Sequence, residues 1–379
     1  MAKYKIDLDA LAATFAVAKA NTDALGIGLL MALKGFPCPP AFSTVAPYLR
    51  GVTASGLFEA KLGALMGRDV HVHAPAYTAE EMPEIRRVCT HVVFNSLAQL
   101  KAFGPETAAA GCHVGLRINP GFSFADCLKY DPCCPDSRFG VLPEEFRAFL
   151  ADPANAEAVA SLDGLHVHAL CEGYSEAFAT LVERFSGQLK AFLAVRPLAL
   201  KWINLGGGET INQPGYATEK AIAAMKGLKA LGAFEVFIEP SEYLVRYSGT
   251  IEAEVLDVIR REKDIAVLDV SLVCHATDAI IYDMKSEILA PAQKKGGRKT
   301  ILGTVSCLAG DVIGEYEFAR PLQVGDKVVI GGMGCYSFAQ QSWFNGIRHP
   351  DLVMVSKGKG EETAISWTFD DYLKEFVRG

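Results

Sequence analysis

Basic side chains are in short supply. The chain has 37 lysines and arginines against 44 aspartates and glutamates, a formal net charge of −7. Nucleic-acid binders concentrate Lys and Arg to meet phosphates, so this balance argues against such a partner and suits a small cationic ligand. Long apolar runs are also missing. None reaches the roughly 20 residues that a bilayer-spanning helix needs, so no membrane partner is expected. The opening MAKYKIDLDALAATF carries acids where a secretory signal requires an unbroken apolar core, so the chain is expected to stay in the cytoplasm. The ten cysteines lack regular spacing and paired CxxC motifs, and read as reduced thiols rather than a disulfide framework. His113, Cys127 and the vicinal pair Cys133 and Cys134 come nearest to a metal cluster, but without paired spacing no metal is expected there. Internal repeats beyond a βα alternation and low-complexity segments are absent.

What is present is an ample supply of core. Half of the 379 residues are hydrophobic, enough for a large barrel and a second, smaller unit. Short apolar strands alternate with helix-length amphipathic stretches through the first 240 residues. The strands are expected at Ile27 to Leu33, Val52 to Ala54, Val70 to Val72, His91 to Phe94, Val114 to Ile118, Leu165 to Ala169, Trp202 to Leu205 and Val236 to Ile238. Helices are expected at Ser175 to Phe192 and Ala217 to Leu231, among others. Eight βα units in this length predict a (β/α)8 barrel over residues 1–247. Beyond Ser248 the texture changes to partly alternating strands separated by turns, at Thr250 onward, Ile265 to Leu268, Lys327 to Ile330 and Thr363 to Trp367. This predicts a C-terminal β domain over 248–379, with Lys294 to Lys299 (KKGGRK) as a solvated hairpin tip.

Barrel enzymes carry their chemistry at the C-terminal ends of the strands. Lys34 follows the first strand in LLMALKGF, an apolar setting that would make its amine a better nucleophile towards an aldehyde. The residues alone leave open a lysine that merely reaches solvent. The seventh strand is followed by Gly206, Gly207 and Gly208, where bare amides can cradle an anion or simply form a turn. After the sixth strand, His166 and His168 alternate with Val167 and point to one side. His168 at the mouth could lie on an aromatic cofactor, whereas His166 is expected to be a buried, hydrogen-bonded histidine. Glu239 ends the eighth strand in IEPSE, where it could hold a protonated pyridine nitrogen or join a loop ion pair.

The motifs ALKGF, SGLFE, LRINPG, SRFG, HVHALCE, NLGGGE, EPSE, SCLAGD and MGCYSF occur in this order across nearly the whole chain. Together they resemble the fold-type III decarboxylases, the alanine racemase-like enzymes that use pyridoxal 5′-phosphate (PLP). HALCE, CHATD and SCLAGD are most similar to the carboxynorspermidine/carboxyspermidine decarboxylase branch. The resemblance implies Lys34 as the Schiff-base lysine, His168 as the ring-stacking residue, Gly206 to Gly208 as the phosphate cradle and Glu239 as the partner of the pyridine nitrogen. It implies Tyr336 as a further phosphate contact. Cys307 and Asp311 would enter the partner protomer's site in a homodimer, with Cys307 as a proton donor. Glu242, Asp278 and Asp311 would hold the distal ammonium groups of a carboxylated polyamine.

The chain departs from the family pattern in three places. Glu242 stands where ornithine and arginine enzymes carry arginine, Ser241 replaces the glycine of EPGE, and CHATD differs from CHMPD. The rival expectations are another decarboxylase of this fold acting on diaminopimelate, ornithine or arginine, a racemase, which would favour a basic residue in place of Glu239, and a non-enzymatic PLP carrier.

Overall fold

Each of the eight expected strands forms, and they close a parallel barrel in chain order. The computed structural model describes residues 1–125 and 131–377. A first strand, β1 (Lys3–Asp7), lies outside the barrel. The barrel strands are β2 (Gly28–Ala32), β3 (Gly51–Ala54), β4 (Asp69–His73), β5 (His91–Phe94), β6 (His113–Ile118), β7 (Gly164–Val167), β8 (Trp202–Asn204) and β9 (Glu235–Ile238). Most of their residues are buried on both faces, as short Val-, Ile- and Leu-rich strands covered by helices must be. The longest covering helix, Ser175–Val195, buries Phe178, Leu181, Val182, Phe185, Leu189 and Phe192, a stripe of helical period.

The barrel floor is built around Trp202. A Cβ on Gly164 of the neighbouring strand would lie 1.9 Å from the indole, so only glycine lets the ring sit there. The indole Nε1 donates to Asp163, 3.0 Å away, and the same carboxylate accepts from the Val114 amide and meets His113 at 2.7 Å. β2 and β9 close the barrel through Gly28 opposite Phe237 and Leu29 opposite Ile238. That seam places the end of the first barrel strand beside the end of the last.

The chain divides into two compact units, Thr14–Leu244 and Met1–Ala13 with Val245–Gly379. The second contains a nine-stranded sheet. Its further strands are β10 (Gly249–Ile259), β11 (Asp264–Leu268), β12 (Glu287–Ala290), β13 (Gln293–Thr304), β14 (Val312–Phe318), β15 (Lys327–Gly331), β16 (Asp351–Ser356) and β17 (Gly360–Ile365). The order is β14-β13-β11-β10-β1-β16-β17, with β15 pairing β10 and β12.

The division therefore differs from a cut after residue 247. β1 lies between β10 and β16, because Tyr4 and Ile6 point into this unit's core while Lys3 and Lys5 alternate outward to acidic partners. KKGGRK is likewise not a hairpin tip. It interrupts β13, where Gln293 and Arg298 both fall opposite Phe318 and the residues between them bulge out, and Arg298 then pairs with Asp264.

Candidate active site

Lys34 sits in a 3-10 turn, Leu33–Gly35, directly after β2, and its side chain is exposed although its neighbours are buried. Glu239 follows β9 and keeps only 16% of its side-chain surface. One carboxylate oxygen lies 3.2 Å from His166 Nε2, and the other accepts from Asn204 Nδ2 at 3.0 Å. Asn204 also accepts the Gly206 amide at 2.8 Å, so one amide side chain ties the glycine loop to the carboxylate. His168, part-exposed beyond β7, accepts the Gly207 amide on Nδ1 at 3.0 Å, which leaves Nε2 to carry any ring proton.

The electrostatics of this cluster fit a fixed anion. Burial works to raise the Glu239 carboxyl, but the hydrogen bond from His166 and the positive charge of Lys34 hold the group below the usual carboxylate range. Burial dominates for the imidazoles, lowering His166 and taking His168 well below the ordinary value, with the charges of Lys34 and Arg117 adding to the effect. The arrangement is therefore a carboxylate that accepts from a neutral His166. Burial brings the Arg117 guanidinium down to about 10, still protonated at neutral pH, while Glu239 opposes the shift.

The glycine loop is packed as tightly as the floor. Cβ atoms on Gly206, Gly207 and Gly208 would come within 2.6 Å of Val167 O, 2.6 Å of Glu239 O and 2.3 Å of Leu170 O. The amides of Gly206 and Gly207 are committed to Asn204 and His168, so among the described residues Gly208 is the glycine of this loop whose N–H has no acceptor. The next residue, Glu209, is 1% exposed, and neither carboxylate oxygen has a hydrogen-bond partner among the described residues. Burial and the Glu239 charge raise its carboxyl well above the ordinary range.

The barrel interior contains more histidine than expected. His71 and His91 stack at 3.8 Å, His91 and His113 at 4.5 Å, and His73 and His166 at 5.2 Å. His73 Nε2 lies 3.3 Å from Asn95 Oδ1, so Asn95, His73 and His166 form a line of contacts behind Glu239. The signal was present in DVHVH, where His71 and His73 alternate around a valine just as His166 and His168 do. Of the cysteines and histidine that came closest to a metal cluster, His113 and Cys133 have other partners. His113 begins β6 and pairs with Asp163, Cys133 donates its thiol to His168 O beyond β7, and Cys127 lies outside the described residues.

In the second unit, Asp311 does not present a free carboxylate. It is 3% exposed, with one oxygen taking the Ser271 hydroxyl at 2.6 Å and the other the Leu272 amide at 2.9 Å. These contacts tie it to Ser271, the N-cap of the short helix Leu272–His275, and to the first amide of that helix. Asp278 is also buried and accepts from Ser337 at 2.8 Å, but its second oxygen has no partner among the described residues. Tyr336, part-exposed, opens the helix Tyr336–Ala339 that carries Ser337. The Cys307 thiol is exposed, and its amide donates to Asn345 Oδ1. Glu242 is half-buried at the head of the helix Glu242–Val245, three residues beyond Glu239.

A closed parallel barrel, a separate and mostly antiparallel sheet, and this set of strand-end groups define a fold-type III decarboxylase. No protein-family model matches the chain. It is 36% identical over 360 residues to the carboxynorspermidine/carboxyspermidine decarboxylase of Campylobacter jejuni, covering 92% of this chain and 91% of that one. The crystal structure of the Campylobacter jejuni carboxynorspermidine decarboxylase complexed with norspermidine superposes with a TM-score of 0.86 at 32% identity, covering 98% of both chains. A carboxyaminopropylagmatine decarboxylase of Synechocystis is 33% identical over 91% of this chain and 87% of its own length. The chain belongs to the carboxynorspermidine/carboxyspermidine decarboxylase family, enzymes of polyamine biosynthesis.

Proposed function

We propose that this enzyme uses PLP to decarboxylate carboxynorspermidine or carboxyspermidine, giving norspermidine or spermidine. The observation that carries the reading is the gathering of Lys34, His168 and an ionised Glu239 at one end of the barrel, with Glu239 held by both His166 and Asn204. PLP needs an amine, a flat contact, an anion cradle and a partner for its ring nitrogen. The exposed Lys34, the part-exposed His168 ring, the Gly208 amide in a loop too close-packed for side chains, and Glu239 fit those needs. Bound PLP supplies a sink for the electron pair left as CO2 departs.

Lys34 then holds the cofactor covalently through Nζ, and Glu239 keeps a proton on the ring nitrogen. Phosphate recognition falls mainly to Gly208, since the other two glycine amides are spent within the protein. Gly206 and Gly207 contribute by letting the loop approach closely. Asp278, with one unpartnered buried oxygen, and Glu242 are the carboxylates proposed for the substrate's distal ammonium groups. Tyr336 is proposed as a phosphate contact on resemblance alone. A cytoplasmic homodimer with shared sites belongs to the same proposal, the exposed Cys307 Sγ giving a proton to the carbon that loses CO2 in the partner's site.

The Synechocystis relative favours a second substrate, carboxyaminopropylagmatine, whose guanidinium end would meet the same carboxylates. CO2 release from carboxynorspermidine, carboxyspermidine, carboxyaminopropylagmatine and diaminopimelate, measured side by side, tests both readings. Preference for either carboxylated triamine supports the first, preference for the agmatine derivative the second, and preference for diaminopimelate contradicts both.

A further inference from the structure

Ser241 replaces the glycine that the family pattern places after Glu-Pro, and it makes a contact that glycine could not make. Its hydroxyl, buried, donates to the Ala32 carbonyl at 3.1 Å, 209 residues away in the chain. The Ala32 amide in turn donates to the Pro240 carbonyl at 3.3 Å. Both main-chain polar groups of Ala32 are thus held by the two residues that follow Glu239. Ala32 ends β2, and Lys34 stands two residues further on in a tight turn closed by the Phe36 amide on Leu33 O. The β2–β9 ladder itself stops at Leu29 opposite Ile238. The two Ala32 contacts carry the barrel seam three residues past that point, to the place where one segment bears Lys34 and the other Glu239.

We infer that Ser241 is a positioning residue: its hydroxyl fixes the segment carrying Lys34 against the segment carrying Glu239, and so sets the span between amine and carboxylate. The inference rests on the proposal that these two groups grip opposite ends of one PLP ring. A ring of fixed size makes that span consequential, since catalytic groups must be held within about 0.5 Å of their productive geometry. Replacing Ser241 with alanine or glycine keeps the Pro240 link but removes the hydroxyl from the Ala32 carbonyl. The segment leading to Lys34 then keeps its ladder to β3 and the Pro240 link, but loses one of its two ties to the segment carrying Glu239.

The test is the rate at which added PLP becomes covalently trapped on Lys34 in the full-length apo protein. Condensation of the Lys34 amine with the PLP aldehyde releases one water, and borohydride delivers hydride to the C=N bond to make the link permanent. Peptide mass spectrometry then counts the modified Lys34. The comparison variant is Ser186→Ala, which removes an equally buried hydroxyl from Val182 O inside the helix Ser175–Val195.

Ser241→Ala and Ser241→Gly are expected to slow trapping about tenfold and to lower kcat with KM little changed, a misplaced group being costly in rate. Ser186→Ala is expected to trap at the wild-type rate for a similar loss of Tm. Wild-type trapping in both Ser241 variants, or equal slowing in Ser186→Ala, overturns the inference while leaving the PLP reading intact. Absence of any adduct on wild-type Lys34 overturns the reading, and the inference with it.

Discussion

His166 Nε2 lies 3.2 Å from Glu239 Oε1, and the same imidazole stacks on His73 with ring planes 6° apart. The carboxylate proposed to hold the ring nitrogen is therefore oriented from behind by a neutral histidine that is itself wedged in place. Preorganisation of this kind does its work when charge develops during reaction.

Glu239→Gln is accordingly expected to lower kcat by about 100-fold or more, since an amide cannot stabilise a ring-nitrogen proton as a carboxylate does. PLP affinity should fall much less, because phosphate contacts contribute most of it. His166→Phe, which removes one donor to Glu239, should lower kcat by a smaller factor. Steady-state kinetics with PLP titration separate these effects, and near-normal kcat in Glu239→Gln would leave the glutamate a structural role only.

The imidazoles inside the barrel make its stability sensitive to acid. Burial lowers His71, His73, His91, His166 and His168, with His91 down to about 3. These groups stay neutral in the folded state, while the unfolded chain protonates them below about pH 6.5. Their contribution is thus fully present above about 6.5 and is lost as pH falls, for His91 down to about 3. Urea unfolding of the apo protein should show uptake of more than one proton per molecule below pH 6, and His91→Gln should reduce that uptake by about one. A flat stability profile between pH 6.5 and 5 would contradict this.

Glu209 has the opposite dependence. Its carboxyl is raised, so the folded chain keeps a proton that the unfolded chain releases above about pH 4.3. The stability tied to that proton is lost as pH rises through the folded value. Glu209→Gln cannot ionise and should be more stable than wild type by about 1–3 kcal/mol at pH 8, with the advantage shrinking towards pH 5. Parallel pH profiles for the two proteins would mean that Glu209 is satisfied in solution.

The barrel was legible because its strands are short, β-branched and separated by strongly periodic helices. The strand-end rule then singled out Lys34, His168, the glycine loop and Glu239. The sequence did not reveal β1, whose KYKID pairs with strands about 250 and 350 residues away, since nothing local marks a long-range partner. Nor did the sequence show that both Asp311 oxygens take donors from Ser271 and Leu272, some 40 residues earlier, since no local pattern marks so distant a donor. His166 was read as a buried, hydrogen-bonded histidine, and it is one. Its partner is Glu239, a contact between strands that no spacing encodes.

The shared-site proposal is tested by complementation. Lys34→Ala and Cys307→Ala proteins should each be nearly inactive, and mixing them with subunit exchange should restore activity. One of the two sites in each heterodimer would then be intact, about a quarter of all sites in a random mixture. Verified exchange without recovery would contradict the sharing.

The most direct measurement is to incubate the purified protein with PLP, reduce it with borohydride and map the modified peptide. The account predicts a visible absorption band that reduction abolishes, and a pyridoxyl group on Lys34 in the LLMALKGF peptide. A stable adduct on any other lysine, or none at all, would contradict it.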